Sequence, residues 1–302
     1  MRPSIRPLPV LFILIGVMGC ASMGGSLLDT ALNVAGDPNK RAAVQQTVEA
    51  VQTASQEITP EQEYYIGRAV AANILATRKP YSEQAATDYI NVLGRSLSLY
   101  SDRPETFGGY HFLIMDSDEI NAFAAPGGLI MVSRGLLRCA DSEETVAAIL
   151  AHEISHVVLK HGLKAISNAR WTAAVQAGVN AGVQVAGSPG LKQLTGVFKD
   201  SVNDITNTLV NSGYSRAQEL EADQMALVIM RRAAYDPQAF DEMLNVMKGR
   251  LKPGGADFAK THPDPKVRIA AVEKTLKGQP AAATPSAEST RQARYKAALG
   301  AI

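Results

Sequence analysis

Two cysteines in 302 residues are far too few for a disulfide-stapled scaffold. There is no excess of either charge: 30 basic and 29 acidic residues give a net charge of +1, which argues against nucleic acid as the main partner. No internal repeat is visible, and the stretch after residue 280 is too short for a helical-repeat domain. Long apolar runs are missing too. The run Val10 to Met18 falls well short of the roughly 20 residues a permanent membrane helix needs. Trp171 to Gly187 is longer and weakly polar, but Gln176, Asn180 and Gln184 recur every four residues beside Val175, Val179 and Val183. That spacing describes an amphipathic helix, not a lipid-facing span. What remains is 46% apolar and 20% charged, enough for one sizeable core and at most two domains.

Arg2 and Arg6 followed by Val10 to Met18 form a charged segment and a short apolar segment, the pattern of an export signal over residues 1–19. It ends in Val17-Met18-Gly19-Cys20, which resembles the lipobox of bacterial lipoproteins. The resemblance implies that Cys20 becomes the first mature residue and carries acyl chains as a lipid anchor. Ala21 behind it implies sorting to the inner leaflet of the outer membrane, facing the periplasm. Cleavage there removes two positive charges and leaves the mature chain at −1. Cys139 is then the single free thiol, so no intramolecular disulfide forms.

Residues 20–57 read as a tether and polar N-terminal segment. Thr59-Pro60-Glu61-Gln62 combines an N-cap, Pro at the first helical position and a capping-box Gln, opening a helix to about Arg78. A second helix is expected from Ser82 to Tyr100. Three strands follow: Tyr110 to Met115, Ile120 to Ala125 and Leu129 to Ser133, the last two joined as a hairpin at Pro126-Gly127-Gly128. From Asp141 the chain reads as helical. A capping box at Asp141 to Glu144 opens a helix to about Lys160, and later helices run to about Asn211, over Ser215 to Arg232, from Asp236-Pro237, and from Pro265 to about Lys277. Residues 278–302 have linker composition, with a short basic helix at Arg291 to Leu299.

The chemistry concentrates at His152-Glu153-Ile154-Ser155-His156. On a helix His152 and His156 lie one turn apart, about 40° around the axis, so both imidazoles reach one metal ion. Glu153 stands beside them and is placed to take a proton from a metal-activated water. Ile149, Leu150, Ile154, Val157 and Val158 make this helix apolar, and burying two His and a Glu without partners would cost several kcal/mol. A zinc site of this kind needs a third protein ligand. Glu219 and Asp223 are one turn apart on a later helix: Glu219 is the candidate ligand, and Asp223 the candidate acceptor for a ligand imidazole's other nitrogen. Glu221 reads as a solvated carboxylate. His161, about 140° around the helix from His156, and His111, in a strand, read as packing or surface residues.

Ser215-Arg216-Ala217-Gln218-Glu219-Leu220-Glu221-Ala222-Asp223 fits SRxxExxAD, His262-Pro263 to Ile269 contains HPxxxxRI, and Asn121-Ala122-Phe123 leads into the Pro126-Gly127-Gly128 hairpin. With HExxH these four motifs resemble the zinc metallopeptidases (gluzincins) that include HtpX and the CAAX prenyl proteases. The likeness covers about Ile58 to Lys277 and is nearest to a periplasmic lipoprotein branch. It implies an α+β, mainly helical metallopeptidase domain over 58–277, with a small antiparallel sheet of about three strands on the HExxH helix. It assigns one Zn2+ to His152, His156 and Glu219, the general base to Glu153, and positions around them to Asp223 and Arg268. His262 would either fill the fourth zinc position in a latent state or stabilise the oxyanion; Arg268 is equally well a salt-bridge partner.

The reaction expected is hydrolysis of peptide bonds in unfolded or misassembled envelope proteins. Substrate is expected to lie extended along an open Leu129–Ser133 edge, near Asn121, Leu129, Ile130 and Met131. The helices from Leu163 to Asn211 are expected to form a lid or a channel wall. The barrel assembly machinery of the outer membrane is a candidate partner. Two other readings remain: a periplasmic chaperone or assembly factor with a latent zinc site, and a peptidoglycan-active zinc enzyme.

Overall fold

The computed structural model describes residues 58–164, 202–250, 261–262, 265–278 and 285–302. The export signal, Cys20, the tether and the amphipathic stretch Trp171 to Gly187 lie outside these residues, as does most of the expected lid. No described helix is long and apolar enough to cross a membrane.

Helix α1 (Pro60–Leu75) begins as its capping box requires: Gln62 N donates to Thr59 Oγ1, and Thr59 N donates to Gln62 Oε1. Its buried face, Ile66, Gly67, Val70, Ala71 and Ile74, follows the 3.6-residue period. Helix α2 (Gln84–Ser98) has Glu83 at its cap position with no side-chain cap bond, one residue later than the Ser82 cap expected, and buries Ala86, Ile90, Leu93 and Leu97.

Strands β1 (His111–Met115), β2 (Ala122–Ala125) and β3 (Leu129–Ser133) form one sheet in the order β1-β3-β2. The hairpin of β2 and β3 is as expected, with Gly127 and Gly128 at φ 77° and 93° supplying the turn. Two features differ. The sheet is mixed, because β1 pairs parallel to β3. In addition, β3 is the central strand, hydrogen-bonded on both sides, so Leu129–Ser133 is no open edge and an extended chain cannot pair along Leu129, Ile130 and Met131. The outer side of β1 meets residues 79–81, where Tyr81 N donates to Ile114 O and Asp116 N donates to Lys79 O. Among the described residues, the remaining edge is β2.

Side chains alternate across the sheet. Phe112, Ile114, Ala122, Ala124, Ile130 and Val132 join the larger core, with α2 and the helices that follow. Met115, Phe123, Ala125 and Met131 face the other way, into a smaller core with α1 and residues Val202, Ile205 and Leu209. After the short α3 (Arg134–Leu137) comes α4 (Glu143–Val158), which runs through the larger core and is buried from Glu143 to Val157. Its cap is Ser142 with Thr145, one residue on from the expected Asp141. That shift leaves Glu143 and Glu144 free to bind elsewhere.

Helices α5 (Arg216–Arg232) and α6 (Gln238–Arg250) pack on α4, and α7 (Pro265–Leu276) packs on both of them. A π-turn at Thr208–Ser212 lies against β2 and leads to Gly213. The C-terminal segment forms α8 (Pro285–Leu299), six residues longer at its start than the basic helix expected, docked on α4 and α2.

Candidate metal centre

Helix α4 contributes His152, Glu153 and His156 to the centre of the domain, where they are 2%, 1% and 1% exposed. Helix α5 packs directly against α4 and is started by Ser215, whose Oγ accepts from Gln218 N. That start places Glu219 and Asp223 one turn apart on the buried face. The fourth contribution comes from His262, just ahead of α7. Gly213 sets its position: at φ 72° it lies so close to Thr261 that any side chain there would strike the Thr261 carbonyl. Tyr214 N then donates to Thr261 O, and Thr261 Oγ1 donates to Asn121 Oδ1, tying the His262 segment to the start of β2.

Four donor atoms converge. His152 Nε2 and His156 Nε2 are 3.0 Å apart, and His262 Nδ1 is 3.4 Å from His152 Nε2. Glu219 lies 3.6 Å from His152 Nε2, 3.5 Å from His156 Nε2 and 3.1 Å from His262 Nδ1. Tetrahedral ligands about 2.0–2.1 Å from an ion stand roughly 3.3 Å from one another. These spacings therefore fit a small four-coordinate metal ion. Charge agrees with geometry. Glu153, Glu219 and Asp223 are buried against one buried guanidinium, Arg268, so the pocket is short of positive charge.

The surrounding contacts fix each donor. His152 Nδ1 is 2.9 Å from Asp223 Oδ1, so its Nδ1–H donates there and its Nε2 lone pair faces the centre. Arg268 grips Asp223 with two bonds, Nε to Oδ2 at 2.8 Å and Nη2 to Oδ1 at 2.7 Å, and its Nη1 is 3.0 Å from Glu219 Oε2. Arg268 is thus both the salt-bridge partner and a part of the site. Burial alone would raise Glu219, but His262 and Arg268 hold it well below the usual carboxylate range. Burial likewise works against Asp223, and Arg268 and His152 bring it below its ordinary value.

Glu153 is different. Burial raises its carboxyl group, and both its oxygens lack a hydrogen-bond partner among the described residues. Its Oε1 is 4.0 Å from His262 Nε2. A desolvated carboxylate without a hydrogen-bond partner, beside a candidate cation site, is suited to receive a proton.

His161, Glu221 and Tyr214 belong to this centre and were not legible as such. His161 is fully buried; its Nδ1 lies 2.8 Å from His156 Nδ1 and its Nε2 3.2 Å from Glu221 Oε2. Tyr214 stacks on the His156 ring at 4.2 Å and 15°. The angle of 140° assumed that the helix continues through His161. Instead α4 stops at Val158, and Lys160 takes φ 54°, which turns His161 back. Asn121 is tied to the site through Thr261, and Leu129, Ile130 and Met131 belong to the central strand.

The model of peptidase family M48 matches residues 84–276. The chain is also 29% identical over 215 residues to the beta-barrel assembly-enhancing protease of Escherichia coli K12, covering 69% of this chain and 42% of that protein. It is 31% identical over 163 residues to the mitochondrial metalloendopeptidase OMA1 of Schizosaccharomyces pombe, covering 52% of this chain and 43% of that protein. It is 30% identical over 162 residues to OMA1 of Arabidopsis thaliana, covering 53% and 30%. The chain thus spans less than half the length of these relatives.

Proposed function

Because the chain belongs to peptidase family M48 and is a metalloprotease of that family, we propose that it is a zinc-dependent endopeptidase of the cell envelope acting on unfolded or misassembled proteins. The single observation that carries the reading is the pairing of a four-donor cluster (His152, His156, Glu219, His262) with the unpartnered carboxylate of Glu153. His152, His156 and Glu219 would hold the zinc, and the buried negative charge around them fits a divalent cation. Zinc, when bound, lowers the pKa of a coordinated water and polarises a carbonyl. Glu153 accepts the proton from the attacking water and delivers it to the leaving amine. Asp223, itself aligned by Arg268, keeps His152 in the tautomer whose Nε2 is a ligand. His262 occupies the fourth corner of the cluster, so substrate must displace it. Once displaced, its imidazole would be available to stabilise the developing oxyanion.

The envelope setting rests on the export signal, on the lipobox-like Cys20 and on the relatives named for barrel assembly. In this reading Cys20 anchors the protein to the outer membrane from the periplasmic side, and barrel assembly machinery is a partner. Substrate would pair with β2, the edge beside α4, in place of β3.

His262 within the cluster favours a second reading, an assembly factor or chaperone with a latent zinc site. Cleavage of unfolded casein by the chain from Ala21, compared with Glu153→Gln, separates the two. A protease loses cleavage in Glu153→Gln while retaining one zinc per chain. A chaperone holds casein in both forms and cleaves it in neither.

A further inference from the structure

We propose that His161, oriented by Glu221, is a positioning residue for the metal ligand His156, completing a second imidazole–carboxylate support parallel to the one Asp223 gives His152. The proposal rests on the zinc reading above and extends it.

The two ligand histidines of α4 are supported unequally. His152 Nδ1 meets a carboxylate directly, Asp223 Oδ1 at 2.9 Å. His156 Nδ1 instead meets another imidazole, His161 Nδ1 at 2.8 Å, and the carboxylate stands one residue further out, at Glu221 Oε2, 3.2 Å from His161 Nε2. A ligand imidazole binding through Nε2 carries its proton on Nδ1 and needs an acceptor there. Only one tautomer of His161 serves, with Nδ1 bare and Nε2 protonated. Glu221 selects that tautomer by accepting a hydrogen bond from Nε2–H. Lys164 Nζ, 3.6 Å from the same Oε2, helps to hold the carboxylate in place. The face of the His156 ring is pressed against Tyr214, so Nδ1 is the polar edge left to fix its rotation.

The backbone is shaped to this end. A non-glycine residue at positive φ is strained, because its Cβ crowds the backbone carbonyl. Lys160, at φ 54°, is where α4 is broken so that His161 returns to His156. Alternation on α5 then divides the carboxylates: Glu219 and Asp223 point inward, while Glu221 sits on the rim, its side chain 54% exposed, and receives His161.

Zinc affinity of the full chain, by competition with a chromophoric chelator, tests this, together with the visible spectrum of the Co2+-substituted protein. His161→Leu is expected to weaken Zn2+ by about 10–100-fold. His161→Asn, whose Oδ1 stands near the place of Nδ1, is expected to recover most of that loss. Glu221→Ala, at an exposed position, is expected to weaken binding about tenfold. The Co2+ band should shift in His161→Leu and Glu221→Ala but not in His161→Asn. Asp223→Ala reports the parallel support at His152. If Asp223→Ala loses affinity while His161→Leu and Glu221→Ala bind as wild type does, the proposal is overturned and the zinc reading stands. Weak binding by His161→Leu that His161→Asn does not recover, with Glu221→Ala normal, shows packing alone and also overturns it. A wild-type chain that binds no Zn2+ overturns both.

Discussion

Arg294 on α8 closes on Glu143, the first residue of the HExxH helix, with Nη2 2.5 Å from Oε1 and Nε 3.1 Å from Oε2. Glu143 is 1% exposed, and Tyr89 and Tyr235 hydroxyls also donate to it. One residue on, Arg291 donates to Glu144 Oε1 at 2.8 Å while stacking on the Tyr235 ring at 4.0 Å. The C-terminal helix therefore clamps the start of the helix that carries the metal site. Removing both guanidinium groups leaves two desolvated carboxylates short of partners. Arg294 is half-exposed, which lowers the cost, so Arg291→Ala with Arg294→Ala should destabilise the domain by about 2–4 kcal/mol. Chemical denaturation of the zinc-loaded chain reads this; a change below about 0.5 kcal/mol would show that α8 merely rests on the surface.

A second prediction concerns Gly67. Alanine in a helix interior normally gains about 1 kcal/mol over glycine. At Gly67 of α1, however, a Cβ would stand 1.8 Å from the Pro126 carbonyl oxygen of the hairpin turn. Neither partner is a flexible side chain, so α1 and the turn must part. Gly67→Ala should lower stability by about 1–3 kcal/mol, reversing the sign that helix propensity alone predicts. Thermal unfolding decides it: a melting temperature at or above wild type would mean that the α1–hairpin contact yields freely.

The pH dependence of the metal-free protein should differ from that of the zinc-loaded one. Burial and the Arg268 charge push His152 down, but hydrogen bonds to Asp223 and Glu219 outweigh them and raise it to about 9 from 6.5. A group whose folded pKa is raised contributes stability that is full below the unfolded value and lost as pH rises through the folded one. Without metal, stability should fall between about pH 6.5 and 9, on the order of a few kcal/mol. His156 does not mask this. Burial holds it well below 6.5, so its contribution is complete above 6.5 and is lost only as pH falls. With zinc bound, the same imidazoles are already deprotonated and that decline should vanish. Urea titrations at pH 6.5 and 9, with and without chelator, measure both slopes; parallel slopes would refute the account.

How much of this was written in the sequence depends on the range of the contacts. The HExxH and Glu219–Asp223 pairs are legible because each is one turn of a single helix, and helical period decides what shares a face. The β2–β3 hairpin is legible from Pro126-Gly127-Gly128 alone. The central place of β3 is not, because β1 joins it in parallel across an irregular connection that has no local pattern. His161 is hidden by the same period that reveals His156: counting turns past Val158 misleads once Lys160 leaves the helix. Glu143 and Glu144 look like ordinary first-turn acids, and their arginine partners lie some 150 residues away. The one local signal pointing to them is the basic spacing of Arg291 and Arg294.

Thr261 offers a way to separate the two roles of His262. Its hydroxyl donates to Asn121 Oδ1 at 3.1 Å and its carbonyl accepts from Tyr214 N at 3.1 Å, and these bonds set His262 Nδ1 3.1 Å from Glu219. Thr261→Val keeps the shape of the side chain and deletes the donor, weakening the hold by about 1 kcal/mol. If His262 chiefly obstructs substrate as a fourth ligand, loosening it should raise kcat/KM for casein several-fold through a lower KM. In that case His262→Ala should do so more strongly. If His262 chiefly stabilises the oxyanion, both substitutions should lower kcat instead, His262→Ala by about 100-fold or more. Zinc content should stay at one per chain in either case, since His152, His156 and Glu219 suffice to hold it. Steady-state kinetics of the two variants beside wild type distinguishes obstruction from catalysis by which constant moves and in which direction.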